Sequence, residues 1–396
     1  MTSSSPAVDP VDETEVDEMV TAIRRWLAND VAPRVIELER ADTYPSDLVE
    51  QIREFGLFGA TIAPHYGGLG LSATAYVRVV EAISEVWMSL SGVFNSHLMM
   101  AELVSRFGTA EQKEEFLARF ASGDLRGGVA LTEPQGGSDL QAITTNARRV
   151  DDHYVLNGSK SWITNGLHGS CLAVLAKTDP AATPRHRGMS VFLVTKEPGF
   201  TVGRKFEKLG YRSIDTVEIF FDDLTVGTDR LVGGEPGHGF AQVMSVLELG
   251  RINVAARGVG IARAALNDAL AYSQERHTMG KPICEHQAIQ LKLADMACRV
   301  EAADLLVARA AAAYDRGGRS DLEAGMAKLV ASEAALTNSI ECMRIFGAAG
   351  YGRDHHVERY YRDAPLLCIG EGTNEIQRIV IARQLIERDR QQRGTA

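Results

Sequence analysis

A long alanine-rich segment places the strongest constraint on the fold of this chain. Residues 239–277 keep helical spacing of apolar side chains over more than thirty positions. Two further helical segments, 285–315 and 321–347, follow after short connections. Short connections favour antiparallel neighbours, so this part of the sequence predicts an antiparallel four-helix bundle.

Two other regions differ from the bundle in their hydrophobic pattern. Residues 13–126 have helical spacing, interrupted at Pro33, which predicts a kink. Residues 127–236 contain short runs rich in Val, Ile, Phe and Thr between turn residues, a pattern typical of strands. The pair Asn157-Gly158 predicts a hairpin turn there.

The predicted fold class is therefore α+β, with a strand domain between two helical domains. We predict a disordered Ser/Pro/Asp-rich N-terminus at 1–12, a helical domain at 13–126, a β domain at 127–236 and a helical domain at 237–396.

Composition excludes several classes of protein. The 396 residues are 45% hydrophobic and 24% charged, as in globular chains, and the net charge of −10 argues against a general nucleic-acid binder. No signal pattern and no apolar run of membrane-spanning length is present, so we expect a cytoplasmic protein without membrane insertion. The five scattered cysteines form no CxxC pair, which argues against a disulfide framework and against a metal site.

One carboxylate in the sequence is flanked by glycines on both sides. Glu371 lies between Gly370 and Gly372, after an apolar stretch and before the final helix. Glycines on both sides bring the backbone close to a bound molecule, which suits a carboxylate that acts on a ligand. The same stretch can also be read as a loop and helix cap with a solvated glutamate, and spacing does not decide between the two.

Three further segments carry polar groups suited to a ligand. These are "ALTEPQGGSDL" at 130–140, "GSKSWITNG" at 158–166 and "ERHTMGKPICEHQ" at 275–287. Each also has a plain structural interpretation: a surface turn, a half-buried tryptophan on a sheet, and cations near a helix C-terminus. Taken singly, none of the three decides the function.

Together, in this order, "TEPQGGSD", "NGSKSWITNG", "YSQERHTMGKPICEHQAIQ" and "EGTNEIQR" resemble the acyl-CoA dehydrogenase family of flavoenzymes. The resemblance covers nearly the whole chain and implies FAD as the cofactor. It implies that Glu371 is the catalytic base, which removes the α-proton of an acyl thioester while hydride leaves the β-carbon. It also implies an oxyanion hole formed by the Glu371 amide and a flavin ribityl hydroxyl.

The resemblance assigns binding roles residue by residue. Contacts to FAD, some from a neighbouring subunit, fall on Val129, Leu131, Thr132, Gly137, Ser138, Trp162, Ile163, Thr164, Arg276, His277, Thr278, Met279, His286, Gln287, Arg344, Gly347, Ala348, Thr373, Asn374 and Glu375. Contacts to the acyl-CoA fall on Ser138, Glu248, Arg251, Arg319, Gly370 and Gly372.

Four departures from the family pattern bear on the base, the cofactor site and the substrate. Gly250 stands where some members carry the base, which leaves Glu371 as the candidate. Gly370 replaces a frequent tyrosine, which suggests room for a 2-branched acyl group. Met279 replaces a common aromatic residue. Met88 stands where an arginine would meet a distal carboxylate, which disfavours a dicarboxylate substrate.

The predicted function is α,β-dehydrogenation of a short- or medium-chain acyl-CoA, straight or 2-branched, to the trans-2-enoyl-CoA. The expected partners are an electron-transferring flavoprotein and further copies of this chain in a homotetramer, with FAD contacted by two subunits. The alternatives are a flavin monooxygenase or oxidase of the same fold, a dehydrogenase of carrier-protein-bound acyl groups, and a non-catalytic binding protein.

Overall fold

The computed structural model describes residues 12–394. Residues 1–11, most of the segment predicted to be disordered, lie outside the described residues. Asp12 accepts a hydrogen bond from Thr14 N and caps the first helix. The described chain has the predicted order of helices, then strands, then helices.

The N-terminal part contains five α-helices. They are α1 (Glu13–Trp26), α2 (Val35–Ala41), α3 (Ser46–Glu54), α4 (Ala73–Phe107) and α5 (Ala110–Ala121). The predicted kink at Pro33 is confirmed, because a π-helical turn and a 3₁₀ turn that contains Pro33 separate α1 from α2. Helix α4 is interrupted at Trp87, whose indole Nε1 donates to Glu39.

A seven-stranded sheet forms the middle part. Its strands are β1 (Gly127–Ala130), β2 (Asn146–Val150), β3 (His153–Thr164), β4 (Cys171–Lys177), β5 (Met189–Thr195), β6 (Phe200–Lys205) and β7 (Thr216–Gly227). The order across the sheet is β1-β4-β2-β3-β7-β6, and β5 pairs with β4.

The predicted hairpin turn at Asn157-Gly158 is wrong. Strands β2 and β3 do form an antiparallel hairpin, but the turn is Asp151-Asp152 and β3 runs through Gly158. Gly158 marks a shift in the pairing of β3 with β7, and a Cβ there would lie 2.6 Å from the Cα of Thr145. The glycine therefore serves a close backbone approach rather than a turn.

The C-terminal part is a helical bundle. Helices α6 (Gly239–Glu275), α7 (Gln287–Asp315), α8 (Asp321–Phe346) and α9 (Val357–Ile369) pack together, and α10 (Asn374–Gln392) packs on α8. A short ribbon of β8 (His277–Thr278) and β9 (Lys281–Pro282) follows α6. Helix α6 is continuous over 37 residues, as its periodicity predicts.

The largest apolar core joins the two helical parts. It runs from α1 and α4 through α6 to α7, α8 and α9 without a break. A second core lies between α4, α5 and the sheet, and a third lies within the sheet. Because α4 and α6 pack along their length, residues of both helices and of the loop after α9 meet in one region.

Candidate functional site

The Glu371 carboxylate is directed onto helix α6. A Cβ built at Gly250 would lie 2.8 Å from Glu371 Oε2, so the carboxylate occupies the space that a side chain at position 250 would fill. Glu371 itself has φ of 57° and Gly372 has φ of 86°. A non-glycine residue in this left-handed region is strained, and such strain is concentrated at functional sites.

The loop that carries Glu371 is held by its neighbours. Gly370 N donates to Leu366 O at the end of α9, and the Thr373 side chain accepts from Ile376 N and caps α10. The buried Gln377 amide donates to the carbonyl oxygens of Glu371 and Gly372. Among the hydrogen bonds of residues 12–394, none uses the Glu371 N–H as donor, so this amide is available to a ligand.

Burial and three nearby cations set the protonation of Glu371. Burial raises the pKa of Glu371, and the charges of Arg257, Arg251 and Lys328 lower it in part. A carboxylate removed from water is a stronger base when ionised. The structure therefore holds a carboxyl group whose pKa burial raises, among cations that favour its ionised form.

Lys328 lies directly behind the Glu371 loop. Its ammonium donates to Asn374 Oδ1 at 2.8 Å and to Cys368 O at 3.2 Å, and burial lowers its pKa to about 8. Both acceptors are uncharged, so Lys328 keeps its positive charge below that pH without a paired carboxylate. It positions the ends of α9 and α10 on either side of Glu371.

We expect Lys328→Met to raise the pKa of Glu371, because one of the cations that lower it is removed. The titration of the Glu371 carboxyl group, followed by difference infrared spectroscopy, should therefore move to higher pH in the variant. The titration should be compared with that of Lys292→Met, since Lys292 pairs with Glu341 elsewhere in the bundle. Coincident titrations for wild type and Lys328→Met would contradict this electrostatic role.

A buried ion pair joins two of the sequence motifs. The Lys160 ammonium lies 2.8 Å from Glu133 Oε1, and both side chains are almost fully buried. Glu133 also accepts from the backbone amides of Thr144 and Thr145. Burial raises the pKa of Glu133, but the Lys160 charge and these hydrogen bonds outweigh burial and hold that pKa at about 2. With Ser161 N donating to Thr132 O, the pair fixes the 130–138 loop against β3.

Strand β3 presents an aromatic face beside that loop. Trp162 has φ of 63° at a register shift, the residue is 56% exposed, and its ring stacks on Phe206 at 4.0 Å. Ile163 is buried, whereas Thr164 is partly exposed and interacts with the Tyr211 hydroxyl. An exposed indole with a nearby hydroxyl suits a flat heteroaromatic ligand.

The first motif loop has an open rim. Val129, Leu131 and Thr132 are partly buried, and Gly137 and Ser138 are exposed. A Cβ at Gly137 would meet no atom within 4 Å, so this part of the loop is free to contact a ligand.

The predicted substrate residues on α6 take part in a polar cluster. Glu248 accepts from Ser320 N and Oγ, and the Arg251 guanidinium lies 2.9 Å from Asp321. Arg319 pairs with the same Asp321, and its side chain is 75% exposed. Glu248 and Arg251 are buried, so of these three Arg319 is the one placed to meet a large ligand from solvent.

The remaining predicted FAD contacts lie at the opposite end of the bundle. Arg276 follows Gly250 by 26 residues along continuous α6, which separates them by about 39 Å. Phe346 stacks on Tyr272 at 4.0 Å, which brings the end of α8 to the same place. We call this the Arg276 cluster; its other members are His277, Thr278, Met279, His286, Gln287, Arg344, Gly347 and Ala348.

The Arg276 cluster is open to a ligand. Arg276 is exposed, and within residues 12–394 its guanidinium has no ion-pair partner. Met279 is 95% exposed, whereas Arg344 pairs with Glu341. The Thr278 hydroxyl bonds to His286 Nε2, which braces the ribbon. The cluster cannot border the Glu371 site of its own chain, so any shared ligand would have to be shared between two copies.

Two neighbouring residues after Glu371, Asn374 and Glu375, point in different directions. Asn374 is buried and bonds to Lys328, Ser332 and Glu333, so its side chain is engaged within the protein. Glu375 points to solvent, where it pairs with Arg378. The prediction that both contact FAD stays a prediction.

Three residues near Glu371 escaped the sequence interpretation. Arg257, Tyr211 and Lys328 all approach the site, but each lies in a segment that reads as ordinary helix or loop. A buried arginine and a buried lysine inside apolar helical stretches were the available signal, because such charges are almost never buried without a partner.

In residues 12–394 no group of three or more His, Cys, Asp or Glu side chains is arranged to hold a metal ion. None of the described helices has a stretch both long and apolar enough to cross a membrane.

Family models match almost the full length of the chain. The acyl-CoA dehydrogenase N-terminal domain matches residues 13–124, the middle domain 128–224 and the C-terminal domain 237–386. An acyl-CoA dehydrogenase of Bacillus subtilis is 40% identical over 92% of this chain and 96% of its own length. The mitochondrial short-chain specific acyl-CoA dehydrogenase of Rattus norvegicus is 40% identical over 92% of this chain and 88% of its own length.

Solved structures show the same similarity. Butyryl-CoA dehydrogenase from Megasphaera elsdenii superposes with a TM-score of 0.90 at 36% identity, covering 96% of this chain and 100% of its own. A chain solved in work on the electron transferring flavoprotein of Acidaminococcus fermentans superposes with a TM-score of 0.91 at 36% identity, covering 96% and 99%.

Proposed function

The chain belongs to the acyl-CoA dehydrogenase family and is an acyl-CoA dehydrogenase, and we propose that it oxidises a short- or medium-chain acyl-CoA with Glu371 as the base. The observation that carries this proposal is the placement of the Glu371 carboxylate against Gly250, with its amide unbonded. The short-chain and butyryl-CoA dehydrogenases among its relatives support the lower end of the chain-length range.

Glu371 serves the reaction through two groups. Its carboxylate takes the proton from the α-carbon, and burial strengthens it as a base. Its N–H donates to the thioester carbonyl oxygen, where negative charge develops. Removing one such donor typically lowers a rate by about 10²–10³. The left-handed backbone of Glu371 aims the side chain and the amide at the same substrate.

FAD fits the residues present and is the proposed cofactor. When bound, FAD accepts the hydride from the β-carbon, so that a trans-2-enoyl thioester is the product. Trp162, Thr132 and Thr164 offer an aromatic face and hydroxyl groups to its ring. The unpaired Arg276 guanidinium suits a diphosphate, which it can bind in a bidentate manner.

We propose that the enzyme is a homotetramer in which two copies contact each FAD. The separation of about 39 Å along α6 between Gly250 and Arg276 supports this arrangement. Large apolar side chains exposed on α6, α7 and α10 support it further; they are Leu270, Leu291, Leu305, Leu385 and Ile386. An electron-transferring flavoprotein is the proposed acceptor of the electrons.

Gly370 suggests tolerance of a branch at carbon 2. A Cβ at this position would have the Leu366 carbonyl oxygen as its nearest neighbour, at 3.3 Å, so the glycine leaves space beside the base. That space lies next to the carbon that Glu371 deprotonates.

The test is anaerobic bleaching of the flavin absorbance by a panel of straight and 2-methyl acyl-CoAs. We expect bleaching by butyryl-CoA and also by the 2-methyl substrates, at rates within about 200-fold of it, since one added carbon in an apolar pocket is worth about 1–3 kcal/mol. Gly370→Ala should slow the branched substrates more than the straight ones. A protein that binds FAD but is bleached by no acyl-CoA would contradict the proposed function.

A further inference from the structure

Arg257 is a buried arginine without a carboxylate partner. It lies on α6 with 4% of its surface exposed, and within residues 12–394 it forms no ion pair. Its Nε has no hydrogen-bond partner, and its guanidinium carbon lies 5.8 Å from the centre of the Tyr211 ring. The partners of Arg257 in this range are the neutral Tyr211 hydroxyl and the charge of Glu371, which lies beyond ion-pair distance, so the position can take a further carboxylate at closer range.

The other charges around Glu371 do not provide it. Arg251 and Arg319 are both paired with Asp321, and Glu248 bonds to Ser320. Lys328 bonds only to uncharged oxygens. Glu371 therefore faces two cations, Arg257 and Lys328, that form no ion pair within residues 12–394, and Glu375 acts on Lys328 from the surface. The balance of these buried charges favours a further negative charge beside Arg257.

The position of Arg257 identifies the end of the substrate that would carry this charge. Seven residues separate Gly250 from Arg257, so both lie on one face of α6, about 10 Å apart along its axis. The side chain of a helical residue leans towards the N-terminus, which brings the guanidinium back towards Glu371. Glu248 and Arg319, the predicted contacts on the CoA side, lie on the other side of Gly250. With the CoA arm assigned to the side of Glu248 and Arg319, Arg257 lies on the side assigned to the far end of the acyl group.

The neighbours of Arg257 are polar as well. Asn253, one turn earlier on α6, donates to the Tyr76 hydroxyl at 2.7 Å, and its own Oδ1 has no partner. The Tyr211 hydroxyl packs against Gly92 of α4, where a Cβ would lie 1.6 Å from it. Asn253 Oδ1 and Arg257 Nε are the unpartnered atoms here, and a purely aliphatic acyl chain would leave both unsatisfied, which is unfavourable.

We propose that Arg257 binds a carboxylate at the far end of a short acyl group, so that the preferred substrate is the CoA monothioester of a short dicarboxylic acid. This inference rests on the proposed function, since it assigns the substrate of the same site. Met88 leaves position 88 without a cation, which disfavoured a dicarboxylate in the sequence. Arg257 supplies the cation from α6 instead, so the distal carboxylate would not be buried without a partner.

Binding of such a substrate would also strengthen the base. Arg257 is the first of the cations that lower the pKa of Glu371. A carboxylate paired with Arg257 offsets that charge, so the pKa of Glu371 rises in the complex. The acid limb of the kcat–pH profile should thus lie at higher pH with a dicarboxylic monothioester than with butyryl-CoA. A purely structural arginine would produce no such difference.

The test compares three substrates: glutaryl-CoA, its neutral methyl ester and butyryl-CoA. Reduction of an electron-accepting dye is followed, because it reports the oxidation step whether or not the distal carboxyl group reacts further. Wild type should have a kcat/KM for glutaryl-CoA at least about tenfold above that for the methyl ester. Arg257→Met should lower kcat/KM for glutaryl-CoA by about 10²-fold and that for butyryl-CoA far less. Arg257→Lys should restore part of the loss.

The matched control is Arg263→Met, on the same helix, because Arg263 is paired with Asp304 outside the site. It should leave the ratio of the two substrates unchanged. A wild-type preference for the methyl ester would overturn the inference without any variant, and so would an unchanged ratio in a folded, FAD-loaded Arg257→Met protein. Turnover of butyryl-CoA in the same assays would leave the proposed function standing, whereas turnover of no thioester would remove both.

Discussion

Glu371→Gln should retain FAD and lose the ability to bleach it with acyl-CoA. The amide keeps the shape and the backbone of the residue but cannot accept the α-proton. A positioned general base contributes about 10²–10⁴-fold, so we expect kcat/KM to fall by that factor. Anaerobic stopped-flow bleaching with butyryl-CoA measures the reductive step directly.

The control for this variant is Glu301→Gln, an exposed glutamate on α7. It should bleach like wild type. The assignment of the base would be refuted by a Glu371→Gln protein with wild-type bleaching rates. Loss of FAD from the variant would instead show that Glu371 holds the loop together, so the flavin content must be measured first.

Glu133→Gln should destabilise the β domain more than any exposed change. The substitution leaves the buried Lys160 ammonium without its counter-ion, and breaking a buried pair in this way costs about 3–5 kcal/mol. Urea unfolding followed by tryptophan fluorescence measures the free energy of unfolding. Glu115→Gln is the matched control, because its pair with Arg230 is partly exposed and worth about 1 kcal/mol or less.

The same pair gives a pH dependence with a defined sign. The pKa of Glu133 is about 2 in the folded protein, against an ordinary value of 4.5. A depressed carboxyl pKa stabilises the fold above the unfolded value, and this contribution is lost as pH falls from 4.5 towards 2. Wild type should therefore lose stability over that range more steeply than Glu133→Gln. Parallel curves would contradict the role given to Glu133.

Much of the fold was predictable because it depends on local patterns. The period of apolar side chains specified α6, α7 and α8, and Pro33 marked the break between α1 and α2. The turn at Asn157-Gly158 was mispredicted because a glycine needed for a close approach to Thr145 has the same local signature as a turn glycine. Local patterns do not reveal which neighbour a residue will meet.

The candidate site was predictable only in part. The glycines around Glu371 left open whether it meets a ligand or caps a loop, and the four motifs together indicated the family. Nothing in the motifs indicated the left-handed backbone of Glu371 or the unpaired charge of Arg257. In the sequence, Arg257 is one more cation in a helical run.

The sequence by itself determined which segments are helices and strands, the order of the three parts, and the family to which the chain belongs. Those properties follow from side-chain period and from residues close together along the chain. Only the tertiary structure decided that Gly250 and Glu371 share one space, that Arg257 faces the same site, and that Arg276 lies at the far end of α6. The reason is physical: the protonation of a carboxylate and the pairing of a charge depend on burial and on distances between atoms, and packing sets both.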